Sequence, residues 1–515
     1  MNPSAKAHFN HITMGRFSSL ITSTFATFSL FVSPSFAFTA LGPTATSVAL
    51  TPDHTDATTE SVLLQKSLGS YNTKVLSLQD CLKIALKNNP QLISNFYLIQ
   101  QSEWNLISTR RQWLPTFNFN STLYGAQQSL QKSLINSGGS TSTFLNSGQA
   151  YNAYQQSLPA INLSWYFINP TIQPSINSAL AKLKSQRFTY DYIARGLILQ
   201  VQTAYINVQA AQSLINAYRK IYFTNKQQVD YLNAQLSKGM IDQGAVQQAK
   251  TQMYQQLAIL IQYQQQLASQ ASLLAQLLGY TDKVLILPSQ PLDSQEQWDL
   301  PLGDTIENAR SFREEIKAYL ETADSFRWNA RQLLNTYLPS FYLGSTATGS
   351  YQAGCLNVFS INQCPNIPST NSMVSTSVNV GLTWQFDGGL NAASANANKA
   401  AEESNKNLAL NAETLAVQQV KTSFAQYENY KLAVKVANKQ LSSAELSSKV
   451  SAERFRVGVG DITTLVQSQQ LLSSAVQTQV QALQQYNIAV AQLYRYSAQL
   501  PPVTPYAVLS ASSSN

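Results

Sequence analysis

Residues 114–125 read LPTFNFNSTLYG and residues 338–349 read LPSFYLGSTATG, with Leu-Pro, Phe and Gly at the same places. In both segments apolar and polar residues alternate after the Leu-Pro pair, which is the period-two pattern of a strand with two different faces. Phe117 begins the apolar face of the first segment, and Phe341 takes the same place in the second. The chain therefore carries two copies of one strand-forming unit.

The similarity between the two copies extends well beyond these segments. An offset of 224 aligns residues 76–125 with 300–349 without a gap. A second block aligns at an offset of 219 and pairs Trp165 with Trp384. Because several tryptophans and both Leu-Pro pairs agree in register, we interpret the chain as two repeats of one fold.

The repeats divide the chain into five predicted segments. Residues 1–37 have the pattern of a signal peptide, since Lys6 and Arg16 precede an apolar stretch that ends in Ser-Phe-Ala. No later stretch has 18 consecutive apolar residues, so no transmembrane helix is predicted. The other segments are a mobile tail at 38–73, the first repeat at 74–290, the second repeat at 291–498 and a C-terminal tail at 499–515.

The composition argues against several classes of protein. Only 12% of the 515 residues are charged, and the net charge of +8 comes without any basic run longer than two residues, which argues against nucleic-acid binding. The histidines are His8, His11 and His54, so the repeats contain no histidine for catalysis or metal binding. Phosphate-binding loops and nucleophile-elbow motifs are also missing from the sequence. We therefore predict no enzyme activity, no metal and no cofactor.

The cysteines fit an oxidising compartment. Cys355 and Cys364 lie in a segment rich in Gly, Asn and Pro and could close a small disulfide ring. Cys81 lies on a predicted helix, where we interpret it as a small buried side chain.

Each repeat predicts two strands of about ten residues, the length at which a tilted strand crosses a bilayer. Long loops rich in Gly, Ser and Asn are predicted between them at 126–159 and 350–373. The candidates for the lipid-facing side are Phe117, Phe119, Leu163, Trp165, Phe341, Leu382, Trp384 and Phe386.

A very long helix follows each strand pair. From Ile176 to Leu236, apolar residues recur at alternating spacings of four and three, which is the pattern of a coiled coil. Gly239 ends this helix, and Asp242 is placed to cap a second helix that runs back. The second repeat predicts the same arrangement, with a long helix from about Ala392 to Phe455 and Asp461 as the cap of the returning helix.

Four strands cannot close a barrel, and an open sheet edge in hydrocarbon leaves backbone groups unpaired. The chain is therefore expected to oligomerise. Two copies would give eight strands, whose side chains nearly fill the interior, whereas three would give twelve and leave room for a lumen. The strand faces with Asn, Thr and Gln would line that lumen.

Several motifs together resemble the TolC-like outer-membrane factor family of efflux proteins. The resemblance covers about residues 74–498 and rests on LSLQDCLKIALKNNPQL (76–92), LPTF (114–117), LPSF (338–341), VGLTWQFDGG (380–389) and RFRVGVGDITTLVQSQQ (454–470). It implies a mixed α and β fold, in which a homotrimer forms a 12-stranded outer-membrane β-barrel with four strands per chain. A long periplasmic α-helical coiled-coil barrel would continue the channel.

The same resemblance implies a function and partners. The channel would be the exit duct of a tripartite efflux or type I secretion system. Its partners would be a periplasmic adaptor (membrane fusion) protein, an inner-membrane pump of the RND, ABC or MFS type, and outer-membrane lipid. The adaptor-docking candidates at the helical tips are Gly239, Met240, Val457, Gly458, Val459 and Gly460.

The gate of the channel departs from the family pattern. Acidic residues form a ring in the best-known members, but the corresponding positions here are Thr464 and Gln467, with Asp461 as the only nearby carboxylate. We expect a gate held by packing of the tips and by Asp242 or Asp461 pairing with cations, with simple helix capping as the alternative. The gate candidates are Asp242, Arg454, Arg456, Asp461, Thr464 and Gln467.

Two other functions compete with the channel. A secreted structural coiled coil or adhesin would explain the heptads and the signal peptide, but not the repeated strands. A periplasmic enzyme would need a reactive group of residues that the sequence does not contain.

Overall fold

A computed structural model of the protein describes residues 72–135, 146–294, 297–358 and 369–501. The predicted signal peptide lies outside these residues, as do nearly all of the N-terminal tail and the C-terminal tail after Pro501. Within the described part of the chain, no helix combines the length and the apolar character needed to cross a membrane.

The two repeats follow the same order of elements. The first contains β1 (Asn72–Leu76), α1 (Leu78–Asn88), α2 (Pro90–Arg110), β2 (Thr116–Ile135), β3 (Asn146–Ile168), α3 (Ile172–Ser237), α4 (Gln243–Leu277) and β4 (Val284–Pro288). The second contains α5 (Leu302–Phe312), α6 (Glu314–Asn335), β5 (Ser340–Val358), β6 (Ser369–Thr383), α7 (Leu390–Arg456) and α8 (Ile462–Tyr496).

Strands β1 and β4 form a small parallel sheet that the sequence analysis does not predict. Asn72 pairs with Val284 and Leu76 with Pro288, so β1 begins inside the segment assigned to the N-terminal tail. Leu285 and Ile286 of β4 are buried in the main core. The five-residue strands are too short to show a clear period in the sequence, but their pairing fixes both ends of the first repeat to each other.

The other four strands form one antiparallel sheet in the order β2-β3-β5-β6. Residues paired directly across strands point to the same side of a sheet, so the register defines its two faces. One row on the first face is Phe117, Leu163, Ser345 and Val378. The adjacent row, on the opposite face, is Asn118, Asn162, Thr346 and Ser377. The sheet therefore has an apolar and a polar face, and β2 and β6 form its open edges.

The strands are much longer than predicted, and the loops predicted at 126–159 and 350–373 are wrong over most of their length. Strands β2 and β3 pair continuously from Gly125 and Gln156 out to Ile135 and Asn146. The prediction relied on alternating hydrophobicity, which a hairpin needs only where one face is apolar. Backbone pairing continues through Gln, Ser and Asn without that alternation.

The long helices match the prediction closely. Helix α3 has 66 residues and α7 has 67, which corresponds to about 100 Å each at 1.5 Å per residue. Most of the predicted seam of α3 is buried, from Tyr190 to Leu232. Near the strands α3 contacts α6, as shown by the 2.6 Å hydrogen bond from Ser178 Oγ to Asn329 Oδ1. Further along it contacts α4 and α8.

Candidate functional site

The two helix-helix turns predicted as docking tips have nearly the same geometry. Gly239 and Gly458 adopt positive φ values of +67° and +80°, the left-handed conformation that ends a helix most easily at glycine. Met240, Val457 and Val459 expose 67%, 64% and 80% of their surface. Each turn thus presents apolar side chains to solvent at the end of a helical hairpin.

The turns of the two repeats lie beside each other. The Tyr231 hydroxyl of α3 donates to the carbonyl oxygen of Arg456 at 3.5 Å. Phe455 and Ile462 pack against the buried cluster at the end of α3 that contains Val229 and Leu232. The two turns that carry the predicted docking residues, Gly460 among them, are therefore neighbours in the fold.

Both tip aspartates cap helices. Asp242 Oδ1 accepts from the amide of Ala245 at 2.9 Å, and Asp461 Oδ1 accepts from the amide of Thr464 at 2.7 Å. Asp461 Oδ2 also accepts from the Thr464 hydroxyl at 3.3 Å. Among the described residues of this single chain, neither aspartate lies within salt-bridge distance of a cation.

Glu453 corrects the description of Asp461 as the only carboxylate near the second tip. Its Oε2 lies 2.8 Å from Nε of Arg456, one turn along α7, and this contact raises the pKa of the Arg456 guanidinium. Arg454, Thr464 and Gln467 are exposed. The sequence analysis missed Glu453 because it considered only the positions after the tip glycine, and Glu453 lies before it.

The candidates for lipid contact lie on the apolar face of the sheet or directly after it. Phe117 and Phe119 are each 70% exposed in the single chain, while Leu163 and Phe341 are half-buried. Leu382 is exposed near the end of β6. The assignment of Trp384 and Phe386 to a strand is wrong, because β6 ends at Thr383. The remaining candidate, Trp165, lies on β3.

Trp165 and Trp384, which occupy equivalent positions in the two repeats, form the same hydrogen bond at the end of the sheet next to the helices. Trp165 Nε1 donates to the carbonyl of Trp113 at 2.9 Å, and Trp384 Nε1 donates to the carbonyl of Tyr337 at the same distance. Both acceptors directly precede a Leu-Pro pair. Phe386 adds a ring contact with Trp384 at 4.9 Å between centroids. Such aromatic groups are enriched at the border of the hydrocarbon layer.

Asp387 organises the junction between β6 and α7, a role that the sequence analysis missed. It accepts hydrogen bonds from the Tyr337 hydroxyl at 2.7 Å and from the amides of Gly389 and Asn391 at 3.0 Å each. The Tyr337 bond is the main cause that lowers the pKa of Asp387, and it raises the pKa of Tyr337. The signal was available as an aspartate directly before two glycines and a helix.

The remaining candidates are the cysteines and metal ligands. Cys364 lies outside the described residues and only the backbone of Cys355 is described, so their pairing stays a prediction. Cys81 is fully buried with a free thiol. No group of three or more His, Cys, Asp or Glu side chains that could hold a metal occurs in the described ranges.

The chain matches the family model for outer membrane efflux proteins twice, over residues 81–280 and 305–499. The Campylobacter jejuni CmeC outer membrane channel aligns with a TM-score of 0.66 and 14% identity, over 85% of this chain and 89% of that chain. The open Neisseria gonorrhoeae MtrE outer membrane channel gives 0.59 and 20%, over 82% and 89%. The outer membrane protein VceC from Vibrio cholerae gives 0.60 and 13%, over 82% and 96%. No curated protein sequence gives a significant match.

Proposed function

Because this chain belongs to the outer membrane efflux protein family, we propose that three copies join their open sheet edges into one barrel whose polar faces line the exit path. The protein is an outer-membrane efflux channel with a periplasmic helical extension, and its family is one of transport ducts rather than enzymes. The proposal that three chains close one barrel rests on the four-stranded sheet, which has one apolar face, one polar face and two unpaired edges.

The native mass of the protein, extracted from outer membrane in mild detergent, tests the closure. A particle with three chains is the expected result, since only closure satisfies the edge backbone groups of β2 and β6. A stable monomer in that detergent would contradict the shared barrel.

The same sample tests two sequence predictions. Its N-terminal peptide shows whether the chain is cleaved after Ala37, and mass analysis without reducing agent shows whether Cys355 and Cys364 are bonded.

Channels of this family are trimers that work with periplasmic adaptors and inner-membrane pumps. For this chain, the docking surface is the pair of tips with Met240, Val457 and Val459. These apolar side chains project from tight turns without a partner among the described residues, and exposed apolar groups that converge on one surface mark protein interfaces. The pump behind the adaptor is of the RND, ABC or MFS type.

Site-specific photo-crosslinking in intact cells tests this surface. A photoreactive amino acid at Val459 is expected to give an adduct with the adaptor. The matched control places it at Val436, which is 65% exposed on α7 several helical turns before the tip. An adaptor adduct from Val436 without one from Val459 would move the docking surface away from the tips.

The gate rests on tip packing, with the aspartates acting as caps in each subunit. The hydrogen bonds of Asp242 and Asp461 to helix amides support this assignment over cation pairing. Exposed ion pairs such as Glu453–Arg456 are screened by solvent, so they add little to a closed state.

A further inference from the structure

A buried group of charged side chains lies where the α5–α6 junction meets α3 and α8. Arg195 of α3 forms an ion pair with Glu314, and Arg313 forms one with Glu315. Arg495 of α8 is the fifth member, with only 7% of its surface exposed. Three guanidinium groups thus face two carboxylates, which leaves one positive charge without a negative partner.

Arg495 carries that excess charge. Its NH1 is buried and has no hydrogen-bond partner among the described residues, and the same holds for Oε2 of Glu314 and of Glu315. These two carboxylates act on Arg495 through space, since neither forms a salt bridge with it within the described part of the chain. NH2 reaches only the carbonyl of Tyr192, at 3.5 Å, and the guanidinium lies 4.7 Å from the centre of the Tyr192 ring. Burial is the main cause that lowers the pKa of Arg495. A buried cation without a hydrogen-bonded counter-ion is strongly unfavourable, so this arrangement requires an explanation.

A cavity of about 360 Å³ lies against this arginine. Arg313 and Arg495 both line it, together with the amide side chains of Gln200 and Gln419, and no carboxylate is among its described lining residues. Glu315 instead lines a neighbouring cavity. Tyr192 is 40% exposed, so the first cavity communicates with the surface. The cavity therefore offers two guanidinium groups and several side-chain amides to a ligand.

Comparison of the repeats shows that Arg313 has a different role from its counterpart. Asn89 occupies the equivalent position in the first repeat, where its side chain accepts from the amides of Gln91 and Leu92 and caps α2. Arg313 makes no such cap for α6 and donates instead to Gln419 Oε1 at 2.7 Å. The second repeat therefore lacks a helix cap here and has a buried guanidinium beside the cavity.

We propose that this cavity is a binding site for a small oxyanion, of the phosphate or carboxylate class, which pairs with the guanidinium groups of Arg313 and Arg495 that line it. Charge-assisted hydrogen bonds from guanidinium groups are among the strongest that proteins make with oxyanions. The bound anion supplies the missing negative charge of the buried group. The site lies in the helical part of the chain and does not depend on closure of the barrel or on an adaptor.

Equilibrium dialysis of the full chain in mild detergent, with radioactive inorganic phosphate at constant ionic strength set by sodium chloride, tests the site. The wild type is expected to bind one phosphate per chain with saturation, and its thermal midpoint is expected to rise with phosphate. R495Q is expected to bind at least tenfold more weakly. R327Q removes the same charge from an exposed position and should bind as the wild type does.

G196L keeps the proposal testable if R495Q does not fold. Gly196 lines the cavity on α3, and a Cβ added there meets no atom within 4 Å, so the leucine fills open space without removing a charge. Leucine also favours a helix over glycine, so this variant should fold. It is expected to lose phosphate binding. Unchanged binding by G196L, or no saturable binding by the wild type, would overturn the proposal.

Competition with acetate at the same ionic strength separates the two classes of oxyanion. Displacement of phosphate assigns the site to carboxylates, and retention of phosphate assigns it to phosphate compounds. Both results support an oxyanion site with Arg495 as its central donor.

Discussion

Substitution of Asp461 separates helix capping from charge pairing at the tip. Asp461→Ala removes the 2.7 Å hydrogen bond from the Thr464 amide, and loss of an N-cap costs about 1 kcal/mol. The first turn of α8 should then open about fivefold more often. Asn caps helices about as well as Asp, so Asp461→Asn should leave this equilibrium nearly unchanged while removing the charge.

Amide hydrogen exchange of the peptide around Thr464, followed by mass spectrometry, measures the opening directly. We expect exchange about fivefold faster in D461A and close to wild type in D461N. Asp242 provides an independent replicate through the amide of Ala245. If D461N exchanged as fast as D461A and also raised single-channel conductance, the carboxylate charge would hold the tip, and the capping argument would be refuted.

Three further predictions concern single positions. Trp384→Phe removes one hydrogen bond to the backbone below the sheet and should lower the free energy of unfolding by about 1 kcal/mol, measured by chemical denaturation in detergent; no change would exclude this bond as an anchor. Gly458→Ala places a side chain at φ +80° and should cost about 1 kcal/mol in the same assay, whereas Gly303→Ala, in a helix with open space around it, should not destabilise. Burial raises the pKa of the Cys81 thiol to about 12, so in a chain with the other cysteines changed to serine it should be neutral at pH 8 and react with a thiol reagent only after unfolding; rapid labelling of the folded protein would contradict this.

The features that repeat in the sequence could be predicted well. The Leu-Pro junctions, the seam of α3 and the capping aspartates each have a local pattern, and the agreement of two copies makes such a pattern easier to recognise. The predicted end of the first long helix at Gly239 lies within two residues of the last helical residue, Ser237. The glycine alone determines where this helix ends, because the turn is exposed and packs against few other residues.

The features that depend on contacts distant in sequence could not be predicted. The outer halves of β2 and β3 are rich in Gln, Ser and Asn and lack a regular alternation of apolar and polar residues, so the sequence alone does not mark them as strands, although their backbones pair with each other. Arg313 looks like an ordinary surface residue next to two glutamates, but in the fold it contacts Gln419 of α7 and Tyr496 of α8, which are distant in sequence. Glu453 lies on the helix turn before the tip glycine, whereas the family pattern concerns the positions after it.

The open edges of the sheet also determine how the protein can reach its final state. In the proposed trimer, the edge strands β2 and β6 pair with strands of neighbouring chains, so a single chain forms no closed barrel. Insertion and assembly are therefore expected to be coupled, with a rate that rises more steeply than linearly with the number of chains present. A cell that makes too little of this protein would lose channels out of proportion to the shortage.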